Sequence, residues 1–295
     1  MSHLIGIDLG GTNIKALSLT PAGDVLSESS CATGDDSSGR FGERVRTLID
    51  ELTRRHGKPH RIGLAAPGLV ARSGRSIAFM PNRLQGLERL DWTDYLKSDS
   101  PVAVLNDAHA ALLGEFWKGA AAGTQNAFML TLGTGVGGAI LSEGRLLRGQ
   151  IGRAGHLGHI SLHADGNPDI VGIPGSLEDA IGECTLAQRT KGAFKSTREL
   201  VEAAQRGEAN AREIWLRSVR ELSCAIAGLI NVLDPEVVII GGGIARAGEA
   251  LFAPLSELLA QYEWRPAGHR VRIVPAQLGE KAGAMGAAYN AMKVE

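Results

Sequence analysis

The residues best suited to chemistry in this chain cluster in Asp8-Leu9-Gly10-Gly11-Thr12-Asn13-Ile14-Lys15, and what they are suited to is holding a phosphate. The apolar run Leu4-Ile5-Gly6-Ile7 ends in a carboxylate, Asp8, able to face a divalent cation directly or through water. Gly10 and Gly11 then let the backbone turn sharply and bring its N–H groups close to an anion. Thr12 adds a hydroxyl and Lys15 a positive charge. An ordinary Gly-Gly hairpin would use the same glycines, so the octapeptide needs support from elsewhere in the chain.

Two further glycine turns supply it. Gly133-Thr134-Gly135-Val136-Gly137-Gly138 satisfies the spacing of a dinucleotide fingerprint, but a strand follows where that fingerprint needs a helix. With no helix N-terminus to receive a pyrophosphate, a Rossmann site is rejected. What remains is a hairpin of N–H groups and Thr134 that can clamp phosphate. Gly241-Gly242-Gly243 falls between a strand and a helix, where backbone can approach a flat base or simply turn tightly. Together the three loops could surround a nucleotide lying between two α/β units.

A carboxylate for proton transfer is present in Leu105-Asn106-Asp107-Ala108-His109, at a strand-to-helix junction. Asp107 there could be a helix cap. It could equally accept the proton of a hydroxyl attacking a γ-phosphate. Asn106 beside it can donate to or accept from an adjacent hydroxyl.

These residues need rigid elements to position them, and the hydrophobic pattern provides them. Short apolar runs alternate with helical patterns, which is the signature of an α/β fold. Strands are predicted over Leu4–Asp8, Ile14–Leu19, Arg61–Ala65, Val102–Leu105, Ala127–Leu132, Val136–Leu141, Glu236–Ile240 and Arg270–Pro275. Helices are predicted over Phe41–Arg55, Ala108–Trp117, from Ser176, from Thr197, from Glu208 to Leu233, over Ile244–Tyr262 and over Lys281–Met292. Residues 151–175 are rich in Gly, His, Asp and Pro without periodicity, and long loops of that kind are usually functional.

Composition narrows the classes. A net charge of -1 without a basic block gives no nucleic-acid footprint. No apolar run approaches the roughly 20 residues of a membrane span, and Met1-Ser2-His3 leads straight into a strand, so a cytoplasmic location is expected. The three cysteines are too far apart in sequence to form a metal motif.

In combination these motifs resemble the ROK family of sugar kinases and sugar-responsive repressors, within the actin, hexokinase and chaperone ATPase superfamily. DLGGTNIK (8–15), AAPG (65–68), LND (105–107), LGTGVGG (132–138), GH (158–159), GSLE (175–178), IIGGGIA (239–245) and LGEKAGAMGAA (278–288) stand in the family's order. The resemblance implies a two-domain actin-like ATPase fold, ribonuclease H-like, with a cleft between domains. Its small domain would hold residues 1–108 plus 281–295 and its large domain 109–280. Asp107 would be the catalytic base, with Gly68, Asn106, His156, His159 and Glu178 at the sugar. Asp8 would orient Mg²⁺. Gly10, Gly11, Thr12, Lys15, Gly133, Thr134 and Gly135 would clamp the phosphates of ATP, and Gly241, Gly242 and Gly243 would lie near the nucleoside. A homodimer is implied as well. Family repressors carry a winged-helix domain ahead of the phosphate motif; with that motif at residue 8, a kinase is expected, not a repressor.

The chain departs from the family in two places. Members usually carry a structural zinc site built from the GH histidine and three cysteines; here the cysteine positions are Asp169, Val171 and Ser176. Valine cannot ligate zinc, so no zinc is expected. His156 stands where a glutamate is typical. A carboxylate only accepts hydrogen bonds, whereas neutral imidazole donates at one nitrogen and accepts at the other, which alters how sugar hydroxyls are read. The expected activity is ATP- and Mg²⁺-dependent phosphorylation of the 6-hydroxyl of glucose or a related hexose. Fructose, mannose, allose and N-acetylhexosamines stay open as substrates, polyphosphate as donor, and a non-catalytic sugar sensor as the rival class.

Overall fold

The computed structural model describes residues 2–34, 39–80 and 83–294. Two compact units emerge from its packing, the first from residues 1–123, 146–154 and 277–295, the second from 124–145 and 155–276.

The first unit is built on a five-stranded sheet. Its strands are β1 (Leu4–Leu9), β2 (Asn13–Leu19), β3 (Val25–Ala32), β4 (Arg61–Ala66) and β7 (Ala103–Asn106), in the order β3-β2-β1-β4-β7. β1 and β2 form an antiparallel hairpin with Asp8 opposite Lys15, and β4 and β7 run parallel to β1. The period of two along β1 decides what each residue meets. Ile5, Ile7 and Leu9 join the core under α1 (Phe41–His56), whose Phe41, Val45, Leu48, Ile49 and Leu52 are buried. Leu4, Gly6 and Asp8 face the last helix, α9 (Ala282–Lys293), which also packs on α3 (Asp107–Lys118). Gly6 is there because α9 lies almost on the sheet: a Cβ at Gly6 would stand 1.9 Å from the Ala284 carbonyl oxygen. Short elements β5 (Leu69–Val70), β6 (Ile77–Phe79) and α2 (Trp92–Leu96) complete the unit. α3 packs on α9, and the first unit runs on to Gly123.

The second unit has its own sheet and core. β8 (Ala127–Leu132), β9 (Val136–Ser142), β10 (Arg145–Leu146), β11 (Val237–Gly241) and β12 (Arg272–Pro275) take the order β10-β9-β8-β11-β12, with β8, β11 and β12 parallel. Phe128, Leu130, Val238 and Ile240 meet Trp215, Leu222 and Ile226 of α7 (Ala209–Leu233) in that core. α4 (Leu177–Ile181), α5 (Leu186–Arg189), α6 (Thr197–Gln205) and α8 (Glu249–Tyr262) surround α7 or follow it. Two predicted helices are broken. The one from Ser176 stops at Gly182 and restarts as α5, and that from Ile244 is a 3-10 turn to Ala247 followed by Gly248 at φ +57° before α8 begins. Among the described residues no helix is long and apolar enough to cross a membrane.

Candidate active site

In the first unit, the β1–β2 turn holds Gly10, Gly11 and Thr12 in a loop closed by Gly10 N–H donating to the Asn13 carbonyl. Thr33 braces it from β3's end, its hydroxyl donating to the Gly10 carbonyl at 2.6 Å and its N–H to the Thr12 carbonyl at 2.8 Å. The Arg83 guanidinium lies against this loop, 1.6 Å from where a Cβ on Gly11 would stand. Sequence reading missed Arg83, which belongs to no motif. Lys15 does not point its charge at the loop in isolation; its ammonium pairs with Glu280 at 2.7 Å.

Asp8, one position before β1's end, lies at the N-terminus of α9. A Cβ on Gly283 would stand 2.6 Å from an Asp8 carboxylate oxygen, so glycine is what lets carboxylate and helix meet. Burial, and then the negative charge of Asp107, push the Asp8 carboxyl up to about 7, with Lys15 opposing. Two carboxylates are thus near enough to repel, and the Asp8 carboxylate offers the hard oxygen donors that a magnesium ion takes.

At the β7–α3 junction the capping question has an answer. Asn106 is the N-cap, its Oδ1 accepting from the N–H groups of Ala108 and His109 at 3.0 and 3.3 Å. Its amide donates to the Gly68 carbonyl at 3.2 Å, tying the 65–68 turn to α3. Gly68, at φ +102°, has no room for a side chain: a Cβ would meet the Phe79 carbonyl oxygen at 2.6 Å. Asp107 is therefore released from capping. It is exposed in the helix's first turn, with one oxygen accepting from Ala108 N–H at 2.8 Å.

In the second unit, Gly133, Thr134 and Gly135 form the β8–β9 turn. Two N–H groups, of Glu183 and Cys184, donate to the Gly133 and Thr134 carbonyls at 3.0 and 2.8 Å and hold it from behind. Gly241 ends β11, and Gly242, at φ +86°, passes so close to β8 that a Cβ would be 2.2 Å from the Leu132 carbonyl oxygen. Gly133, Thr134 and Gly243 line a cavity of about 750 Å³ together with Thr197, Glu202 and Arg246. That volume suits a nucleoside.

Glu178 sits in the first turn of α4, which Ser176 caps by accepting from Asp179 N–H at 3.2 Å. Its carboxylate is buried and accepts from Val136 N–H at 2.9 Å, the first residue after the glycine turn. His159 closes a 3-10 turn, Leu157–His159, that His156 opens. Gly158 presses this turn onto β9, since a Cβ there would be 1.9 Å from the Val136 carbonyl oxygen. His159, Asp169 and Glu178 bring ligand-type atoms within 4.8 Å of one another. His163 is directed elsewhere, its Nε2 on Glu221 at 2.8 Å.

The residues at the four zinc positions do not fit zinc. His159 Nδ1 is engaged by Asp169 Oδ2 at 2.8 Å, Val171 supplies only a backbone N–H, and the Ser176 hydroxyl is held by Asp169 and the helix it caps. A structural zinc needs four free donors. Burial alone would raise the Asp169 carboxyl; hydrogen bonds from His159, Ile173, Ser176 and Val171 outweigh it and hold it below the usual carboxylate range.

Comparison with known proteins agrees with this architecture. The glucokinase of Thermotoga maritima is 32% identical over 97% of this chain and 96% of its own. The crystal structure of a ROK hexokinase from Thermus thermophilus superposes with a TM-score of 0.88 at 32% identity, covering 99% of this chain and 98% of that one. A ROK family glucokinase from Streptomyces griseus, solved with glucose and AMPPNP, gives 0.82 at 27% identity over 99% and 100% of the two chains. The ROK family model matches residues 4–294. This chain belongs to the ROK family.

Proposed function

We propose that the chain is an ATP-dependent hexose kinase that phosphorylates the 6-hydroxyl of glucose or a related hexose. The observation that carries the reading is Asp107: Asn106 does the capping, and an exposed carboxylate is left at a helix start beside Asp8. A carboxylate so placed has the reach and the acceptor capacity of a general base.

Asp107 takes the proton of the attacking hydroxyl. Asn106 orients that sugar through the Gly68 turn it tethers, and His156, His159 and Glu178 read other hydroxyls. The β1–β2 turn with Arg83, and the β8–β9 turn with Thr134, present N–H groups and positive charge to phosphate oxygens. Gly241, Gly242 and Gly243 border the nucleoside. Asp8 would hold Mg²⁺, directly or through water, and that ion would offset the charge gathered on the transferring phosphoryl group. Glucokinase and hexokinase relatives and the AMPPNP complex support both the sugar and the nucleotide. A cytoplasmic homodimer is part of the same reading.

Asp107→Asn keeps size and removes the base. It is expected to lower kcat by about 10²–10⁴-fold while leaving the sugar dissociation constant nearly unchanged. ADP release over a panel of hexoses, amino sugars and ketoses measures this and identifies the sugar. Wild-type turnover in the variant would sink the assignment, and specific sugar binding without turnover by the native protein would make it a sensor.

A further inference from the structure

One carboxylate organises the whole of the 159–177 loop. Asp169 Oδ1 accepts from the N–H groups of Val171 and Ile173, both at 2.9 Å, while Oδ2 faces His159 Nδ1 at 2.8 Å. Backbone bonds close the loop around it: Asp169 N–H to the Ile173 carbonyl, Leu162 N–H to the Gly175 carbonyl, and Leu177 N–H to the Ile160 carbonyl. The Asp169 side chain is 1% exposed, His159's 25%. A group buried that thoroughly, accepting from three residues at the two ends of one loop, is the loop's anchor.

We propose that Asp169 is a positioning residue for the sugar: by accepting from Nδ1–H it fixes His159 in the tautomer whose Nε2 is a hydrogen-bond acceptor. An ionised carboxylate has no proton to give, so the proton on this bond belongs to the imidazole. Nε2 is then left to receive from a hydroxyl near Glu178, which lies within 4.8 Å of the pair. The loop is thus held, and its histidine aimed, by a hydrogen-bonded anion at the positions where a metal ion would otherwise be coordinated. The proposal rests on the sugar-kinase reading only for the identity of what His159 touches.

Asp169→Asn tests it, because the amide keeps the shape and can still accept from Val171 and Ile173, yet offers N–H to His159 and so favours the opposite tautomer. The KM for sugar is expected to rise about ten- to a hundredfold, with kcat and the KM for ATP within about twofold of the native values. Imidazole ¹⁵N shifts of the native protein, with His159 identified by its loss in His159→Gln, are expected to show a protonated Nδ1 and a bare Nε2. Metal analysis is expected to show zinc far below one per chain. An unchanged sugar KM in Asp169→Asn, a protonated Nε2 with bare Nδ1, or one zinc per chain whose removal raises the sugar KM would each overturn the proposal. If the native enzyme turns over no sugar, the kinase reading fails while the ring shifts and metal content still decide the anchor.

Discussion

Asp8 is held in a condition a free aspartate never meets. Burial and the neighbouring Asp107 raise its carboxyl to about 7, so near neutral pH the protein without ligands keeps a proton there that an unfolded chain gives up near pH 4. Between those two pH values the folded state binds more protons than the unfolded one, and stability falls as pH rises through 7. Asp8→Asn removes that titration. In magnesium-free, nucleotide-free buffer the variant is expected to gain stability over the native protein from pH 4 to pH 7 and to hold its advantage above. The size is on the order of 4 kcal/mol as an upper bound. Urea unfolding at several pH values measures it; an advantage that does not change with pH would show that Asp8 ionises normally. In the proposed kinase, the divalent cation that Asp8 would hold would relieve the same repulsion.

Elements carry the site by close approach, and α9 is the sharpest case. Its run Ala282-Gly283-Ala284-Met285-Gly286-Ala287-Ala288 is small enough to sit against β1, β4 and α3 at once. A Cβ at Gly286 would fall 1.7 Å from the Ala110 carbonyl oxygen of α3, a backbone atom with nowhere to go. Helix propensity alone would favour Gly286→Ala by about 1 kcal/mol. Overpacking is expected to win, giving a net loss of about 2 kcal/mol and a lower melting temperature; a neutral or stabilising result would mean that α3 and α9 can part. Much of this was legible beforehand. Strongly apolar runs such as Leu4–Asp8 and the 3.6-residue face Val45, Leu48, Ile49 and Leu52 identified their elements because burial and periodicity agree there. β3 was not legible: Val25–Ala32 is a serine-rich edge strand with no buried residue to mark a face. The glycine turns were readable as turns, and Asp107 as a carboxylate at a helix start, because those conformations are set locally. Arg83 against Gly11 and the Asp169 anchor were not, since both come from chain folding back over many residues, and Asp169 had shown itself only as a missing cysteine.

Over the whole molecule, the first unit cannot be completed until the end of the chain arrives. Leu4, Leu17 and Leu19 bury themselves against Ala284, Met285 and Ala288, and the Leu278 N–H donates to the buried Glu115 of α3 at 2.8 Å. Removing residues 277–295 therefore strips one face of the first sheet of its cover. Several large aliphatic side chains are re-exposed at about 1.5–3 kcal/mol each, which rivals the entire stability of an ordinary domain. The second unit's core, from Phe128 to Val271, uses none of the deleted residues. A chain ending at Ala276 is expected to keep slow amide exchange in β8, β11 and α7 and to lose it in β1, β4 and α3. Hydrogen exchange read by mass spectrometry distinguishes the two units directly. Native-like protection of β1 and β4 in the truncated chain would show that the first sheet and α1 suffice by themselves, and that α9 serves Asp8 alone and not the fold.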